Sequence, residues 1–170
     1  MSSVVIVGDS FASRPYQHYS APSVRVVGID LALATLLPAS WSIIAYGWGG
    51  TASSTTRELA KIAAAGHRPD FLVWATGTND VTTSVPAATI QSTWDAFLLD
   101  AVAYGGDPEI ITCTIPPTSI WDAGQDAIKD TVNAYWRTNA ARLVDRDALW
   151  RDPADATQMS ATYLNAYEPA

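Results

Sequence analysis

The chain is expected to fold as an α/β domain with a doubly wound, mostly parallel five-stranded sheet and helices on both faces. Three observations predict it. Short apolar runs, often β-branched and without polar alternation, recur along the chain, which suits strands buried on both faces. Stretches with helical spacing stand between them, and strand–helix alternation builds parallel sheets. Glycines and small polar residues follow several runs at their carboxyl ends, where open α/β sheets assemble their sites.

The first run, Val4-Val5-Ile6-Val7, leads straight into Gly8-Asp9-Ser10. Residues 11–20 are polar and aromatic and read as a short helix or loop. Residues 24–28 read as a strand, and residues 31–37 as a buried helix ended by Pro38. Ser42-Ile43-Ile44-Ala45-Tyr46 is the next strand and enters the glycine-rich Gly47-Trp48-Gly49-Gly50-Thr51. A helix is then predicted from Thr55, whose Thr-x-x-Glu spacing to Glu58 reads as a capping box. It is expected to turn Leu59, Ile62 and Ala63 inward and to stop at Gly66. Residues 70–76 form a third strand, followed by Gly77-Thr78-Asn79-Asp80. Pro86 opens a helix with an inward stripe of Ile90, Trp94, Phe97, Leu98, Ala101 and Val102, closed by Gly105-Gly106. Residues 109–114 are a fourth strand leading into Ile115-Pro116-Pro117. A helix over about 125–142 presents Ile128, Val132 and Tyr135 or Trp136 on one face, and Leu143-Val144-Asp145 reads as a short last strand. Residues 1–150 are thus one domain, and 151–170 an irregular C-terminal segment.

Composition narrows the function. A net charge of −7 with no basic run argues against nucleic acid as a partner, because phosphate binding needs clustered Lys and Arg. Charged residues are 16% of the chain, with seven Trp and seven Tyr. That balance fits either a well-filled core or a surface partly covered by other protein subunits. The single Cys113 forms no internal disulfide and reads as an inert core residue, and the two histidines have no zinc-type spacing. No metal or other cofactor is expected. Nothing resembles a signal peptide or a membrane span, so a cytoplasmic location is expected, or a virion for a phage-encoded chain.

In a parallel sheet, Gly8-Asp9-Ser10, Gly47 to Thr51 and Gly77 to Asp80 share one edge. A hydroxyl, a flexible backbone N–H loop and a side-chain amide then converge on one crevice. Those are the parts of an acyl-transfer site, a nucleophile with donors for an oxyanion. Asp9 and Asp80 are expected to hold loops rather than move protons.

On these three blocks the chain resembles the SGNH, or GDSL-type, hydrolases, small three-layer α/β domains that cleave esters, acetylated sugars and lipids. Gly8-Asp9-Ser10 matches the family's first block, the Gly47–Thr51 loop its second, and Gly77-Thr78-Asn79-Asp80 its Gly-x-Asn-Asp block. Ile115-Pro116-Pro117 and Val132-Asn133-Ala134-Tyr135 look like its later connections. The resemblance implies Ser10 as nucleophile, with its own N–H, the N–H of Gly50 and the Asn79 amide as oxyanion donors. The family completes the site with Asp-x-x-His. Here no histidine follows His67, and the best register sets Ser160 in place of the Asp and Tyr163 in place of the His. The closing helix that usually follows this block is also missing. A tyrosine with a pKa near 10 is a poor base at neutral pH.

His67 is expected at the amino end of the sheet, opposite the crevice, and His18 on a solvated helix. Asp147, Asp152 and Asp155 are weaker candidates for a substitute base. The leading expectation is therefore a hydrolase fold with impaired or lost turnover, serving as a structural or binding module in a larger assembly; a virion is one such setting. The alternative is an active esterase or deacetylase using Ser10 with a non-standard base. A third is carbohydrate binding, with Trp48 stacking on a sugar ring. An acyl ester or a glycan is the crevice ligand these readings imply.

Overall fold

A computed structural model of the chain describes residues 2–9, 36–47, 50–155 and 160. Five strands form one sheet: β1 (Ser3–Gly8), β2 (Ser42–Gly47), β3 (Phe71–Ala75), β4 (Glu109–Cys113) and β5 (Leu143–Val144). All neighbours are parallel, in the order β2-β1-β3-β4-β5. The helices among the described residues are α1 (Ser53–His67), α2 (Thr78–Thr82), α3 (Ala87–Gly105), α4 (Ala123–Asn139) and, after the last strand, α5 (Arg146–Trp150). The expected elements at 11–20 and 24–28, and most of the 31–37 helix, lie outside the described residues.

The unbroken apolar run of β1 is explained by burial on both faces. Val5 and Val7 join Leu72 and Trp74 under α1, α3 and α4, while Val4 and Ile6 join Val73, Ala75 and Cys113 on the reverse side. Leu37 and Trp41 pack on that reverse side, with Trp41 stacked on Phe71. Helices on the first face are therefore seen directly. Four of the seven tryptophans, Trp74, Trp94, Trp121 and Trp136, are buried in this chain's own core. β2 is half-buried throughout, as befits a strand at the sheet's edge.

Helix α1 departs from expectation at both ends and on its inner face. It begins at Ser53 after Ala52, so Thr55 and Glu58 lie inside it, exposed, and their capping box does not form. Glu58 bonds Lys61 instead, at 2.8 Å. The helix runs on to His67, with Arg68 in the left-handed conformation as its cap. The buried face is Ser53, Thr56, Ala60, Ala63 and Ala64; Leu59 is half-buried and Ile62 is 65% exposed. Small residues are what this face needs, because α1 approaches α3 closely: a Cβ at Gly105 would stand 3.3 Å from the Ala64 methyl.

In α3 the predicted stripe holds at Ile90, Trp94, Phe97 and Ala101, but Leu98 is half-buried and Val102 is 56% exposed. Leu98 still packs on the core, but the neighbouring helix is too short to cover Val102. Gln91 bonds the Thr131 carbonyl and the Tyr135 hydroxyl bonds Asp95, so the two helices run in step four residues at a time. At that pace α4 ends at Asn139, before the level of Val102, and an open groove remains there.

Helix α4 starts at Ala123 and stops three residues short of Arg142. Its capping box is real: Asp122 accepts from the Gln125 amide, and the Gln125 side chain accepts from the Asp122 amide. Its buried stripe of Lys129, Val132, Asn133 and Trp136 contains two polar residues the sequence did not suggest. Helix α5 was likewise not expected; Asp145 caps it by accepting from the Ala148 amide.

Candidate active site

The three predicted strand tips are level. Gly8 at the end of β1 pairs in register with Gly47 of β2 and with Ala75 of β3, and the Asp9 amide donates to the Ala75 carbonyl at 3.3 Å. The strand order reverses between β1 and β3, the place where doubly wound sheets open a crevice.

Two glycines set the local backbone. Gly50 has φ +81°, and no described residue lies within 4 Å of where its side chain would stand. Gly77 has φ +113°, and an added Cβ would lie 2.6 Å from the Ile115 side chain. A non-glycine residue there meets both a disfavoured conformation and a clash. This turn starts α2 directly after β3 and presents Asn79 and Asp80 at the carboxyl edge.

The two loops are clamped together twice. The Asn79 side-chain amide donates to the Thr51 carbonyl at 3.1 Å, leaving its second hydrogen unused among the described residues. The buried Asp80 carboxylate accepts from both the amide and the hydroxyl of Ser53, each at 2.8 Å. Asp80 thus does hold a loop, as expected. Burial pushes its carboxyl above the usual range, against the Ser53 bonds, which favour the charged form. Beneath them Thr56 bonds Thr76 at 3.2 Å, both fully buried.

The segment after β4 forms the next wall. Pro116 and Pro117 have no amide to donate, and Asn133 compensates by gripping Ile115 at both backbone groups. Its Oδ1 accepts from the Ile115 amide at 2.9 Å and its Nδ2 donates to the Ile115 carbonyl at 2.8 Å. Trp121 donates to the Thr82 hydroxyl and Gln125 to the Thr82 carbonyl, tying this wall to α2. Cys113 is buried at the end of β4, and burial pushes its thiol up, away from the reactive thiolate.

Of the residues singled out in the sequence, Gly50, Asn79 and Asp80 come together here. Ser10, Trp48, Tyr163 and His18 lie outside the described residues. Ser160 is half-buried, and its amide donates to the Trp150 carbonyl at 2.7 Å, so it sits at the end of α5. His67 is exposed on the last turn of α1, four residues before β3 begins, with Nε2 2.8 Å from the Tyr46 hydroxyl.

Asp147 is not placed to act as a substitute base. It is fully buried, with Oδ2 2.7 Å from Arg137 and 2.5 Å from Arg151, and Oδ1 3.4 Å from Lys129. Its oxygens are thus already engaged by three cations inside the fold. Asp152 accepts from the Ala154 amide in a turn, and Asp155 is exposed. Alongside Asp147, Arg146 reaches back from α5 to donate to the Thr114 carbonyl at the end of β4. The charged run Asp145-Arg146-Asp147 after a strand was the signal for this anchor. Among the described residues no group of three or more His, Cys, Asp or Glu could hold a metal, and no helix is long and apolar enough to cross a membrane.

Known structures share this architecture. A carbohydrate acetylesterase family member from Sinorhizobium meliloti superposes with a TM-score of 0.70 at 18% identity, over 98% of this chain and 93% of that one. A putative lipolytic protein of the G-D-S-L family from Desulfitobacterium hafniense gives 0.71 at 15% identity, over 91% and 83%. The lipase/acylhydrolase from Enterococcus faecalis gives 0.66 at 13% identity, over 97% and 90%. At these identities the likeness speaks for the fold. No curated protein is significantly similar to the chain. The family model for GDSL-like lipase/acylhydrolase matches residues 6–168, and with the parallel sheet and its level strand tips this chain belongs to that family.

Proposed function

We propose that this chain is a GDSL-fold protein whose crevice retains the donors for an acyl oxyanion but whose turnover is impaired, so that it serves as a binding or structural module. One observation carries the reading: no histidine stands between His67 and Ala170, the part of the chain where the family places its imidazole base. His67 itself is exposed on the last turn of α1, at the opposite end of that helix from the Ser53 held by Asp80, and bonds the Tyr46 hydroxyl. The doubly clamped loops bearing Gly50 and Asn79 support the retained half of the reading. In this assignment Ser10 is the nucleophile position, Gly50 and Asn79 are oxyanion donors, and Ser160 and Tyr163 stand where the family has Asp and His. Loss of the histidine base in a serine hydrolase costs on the order of 10⁶ in kcat.

Hydrolysis of p-nitrophenyl acetate by wild type and Ser10→Ala tests this. Wild-type turnover within about tenfold of the variant is the expected result. Robust turnover abolished by Ser10→Ala refutes it and supports an active esterase or deacetylase with a different base. That second reading is favoured by the Asn79 amide, which among the described residues uses one hydrogen, on the Thr51 carbonyl next to Gly50, and so keeps a donor for a developing negative charge.

A further inference from the structure

We propose that Asp80 is the positioning residue of this crevice: by capping α1 from another loop, it fixes the amides of Gly50 and Asn79 relative to each other. The proposal rests on the oxyanion reading above and adds the element that organises it.

Helix α1 has no cap of its own. Ala52 stands at its N-cap position without a capping side chain, and no acidic residue lies in its first turn. Its first free amide, on Ser53, is instead satisfied by Asp80, which is 27 positions away. The Ser53 hydroxyl donates to the other carboxylate oxygen, so one carboxylate holds one residue at two points. A carboxylate at a helix N-terminus also complements the dipole of this 15-residue helix.

The residues between the clamp and Gly50 have little freedom left. The Thr51 carbonyl accepts from Asn79, and the Ala52 carbonyl accepts from both the amide and the hydroxyl of Thr56. Gly50, with φ +81°, immediately precedes this held stretch, so its amide is placed by the clamp. On the opposite side, Asp80 directly follows Asn79 on α2, and its own carbonyl accepts from the Val85 amide. Moving the Asp80 carboxylate thus moves both donor loops together. No described Lys or Arg pairs with Asp80, so the clamp brings no cation into the crevice to compete with the donors.

Nitrogen-15 NMR of the Gly50 amide and the Asn79 side-chain amide tests this, in wild type, Asp80→Asn and Ser53→Ala. Hydrolysis of p-nitrophenyl acetate is measured on each. Asp80→Asn keeps the shape but sets an NH₂ against one of the two Ser53 donors. The Gly50 and Asn79 signals are expected to move, and the Ser53 amide to exchange with solvent at least about tenfold faster. Amides of β4 and α4 are expected to stay in place, and any residual hydrolysis to fall in kcat with KM unchanged. Ser53→Ala removes only the hydroxyl bond and is expected to move the same signals less; it decides the matter if Asp80→Asn does not fold. Gly50 and Asn79 signals at wild-type positions in the folded variant overturn the proposal, whatever the turnover. Robust wild-type hydrolysis overturns only the impaired-turnover reading, so the two failures are separate.

Discussion

Of the carboxylates buried near the carboxyl end of the sheet, Asp80 and Asp147 are held in opposite ways. Asp80 is held by neutral donors, the amide and hydroxyl of Ser53. Asp147 is held by cations, Arg137, Arg151 and the buried Lys129, and its neighbour Asp145 accepts from two nitrogens of Arg137. The consequences diverge. Neutral donors do not fully offset desolvation, so the Asp80 carboxyl sits above the usual range. The Arg137 guanidinium holds the Asp145 carboxyl below it. Neutral clamping suits a crevice that must keep its own donors available. Cationic clamping suits the other task, fastening the C-terminal part of the chain to α4.

The largest effect is expected where a buried carboxylate shared by three cations loses its charge. Asp147→Asn leaves Lys129 buried and two arginines without their shared partner, a loss of about 3–5 kcal/mol. Urea denaturation reads it directly. A loss below about 1 kcal/mol would mean that the cations find other partners and that the contrast with Asp80 is shallow.

Asp80→Ala comes next. It strands the amide and hydroxyl of Ser53 but no charge, so a smaller loss of about 1–3 kcal/mol is expected in the same titration. A loss matching that of Asp147→Asn would break the distinction between the two clamps.

Acidification separates the pair with the smallest but most selective effect. A carboxyl whose folded-state pKa is raised contributes stability that is complete below its unfolded value, about 4, and is lost as pH rises through the raised value. A carboxyl whose pKa is lowered contributes stability present above about 4 and lost as pH falls through the lowered value. Asp80→Asn should therefore steepen the loss of stability as pH falls toward about 4. Asp145→Asn should flatten the loss below about 4. Urea midpoints measured across acidic pH check both signs.

Much of this arrangement was legible in the residues. Val4 to Val7 read as a strand covered on both sides, and they form one. Asp80 was read as a loop holder, and it is one. The misreadings share a cause. The Thr55–Glu58 box was a sound local signal, yet α1 takes its cap from Asp80 and begins at Ser53. Val102 had the spacing of a core residue, but α4 ends too early to cover it. Lys129 is buried, and to Asp126 and Asp130 of its own helix the fold adds the buried Asp147 from α5 as a third carboxylate.

The order of strands and the polar tips at their ends were determined by the sequence alone, because apolar runs and glycines act through their immediate neighbours. Which partner each buried polar group chose was decided by the tertiary structure. Asp80 with Ser53, Asn133 with Ile115 and Asp147 with Lys129 join different elements of the chain. The energy of such a bond depends on burial that exists only once the layers have closed.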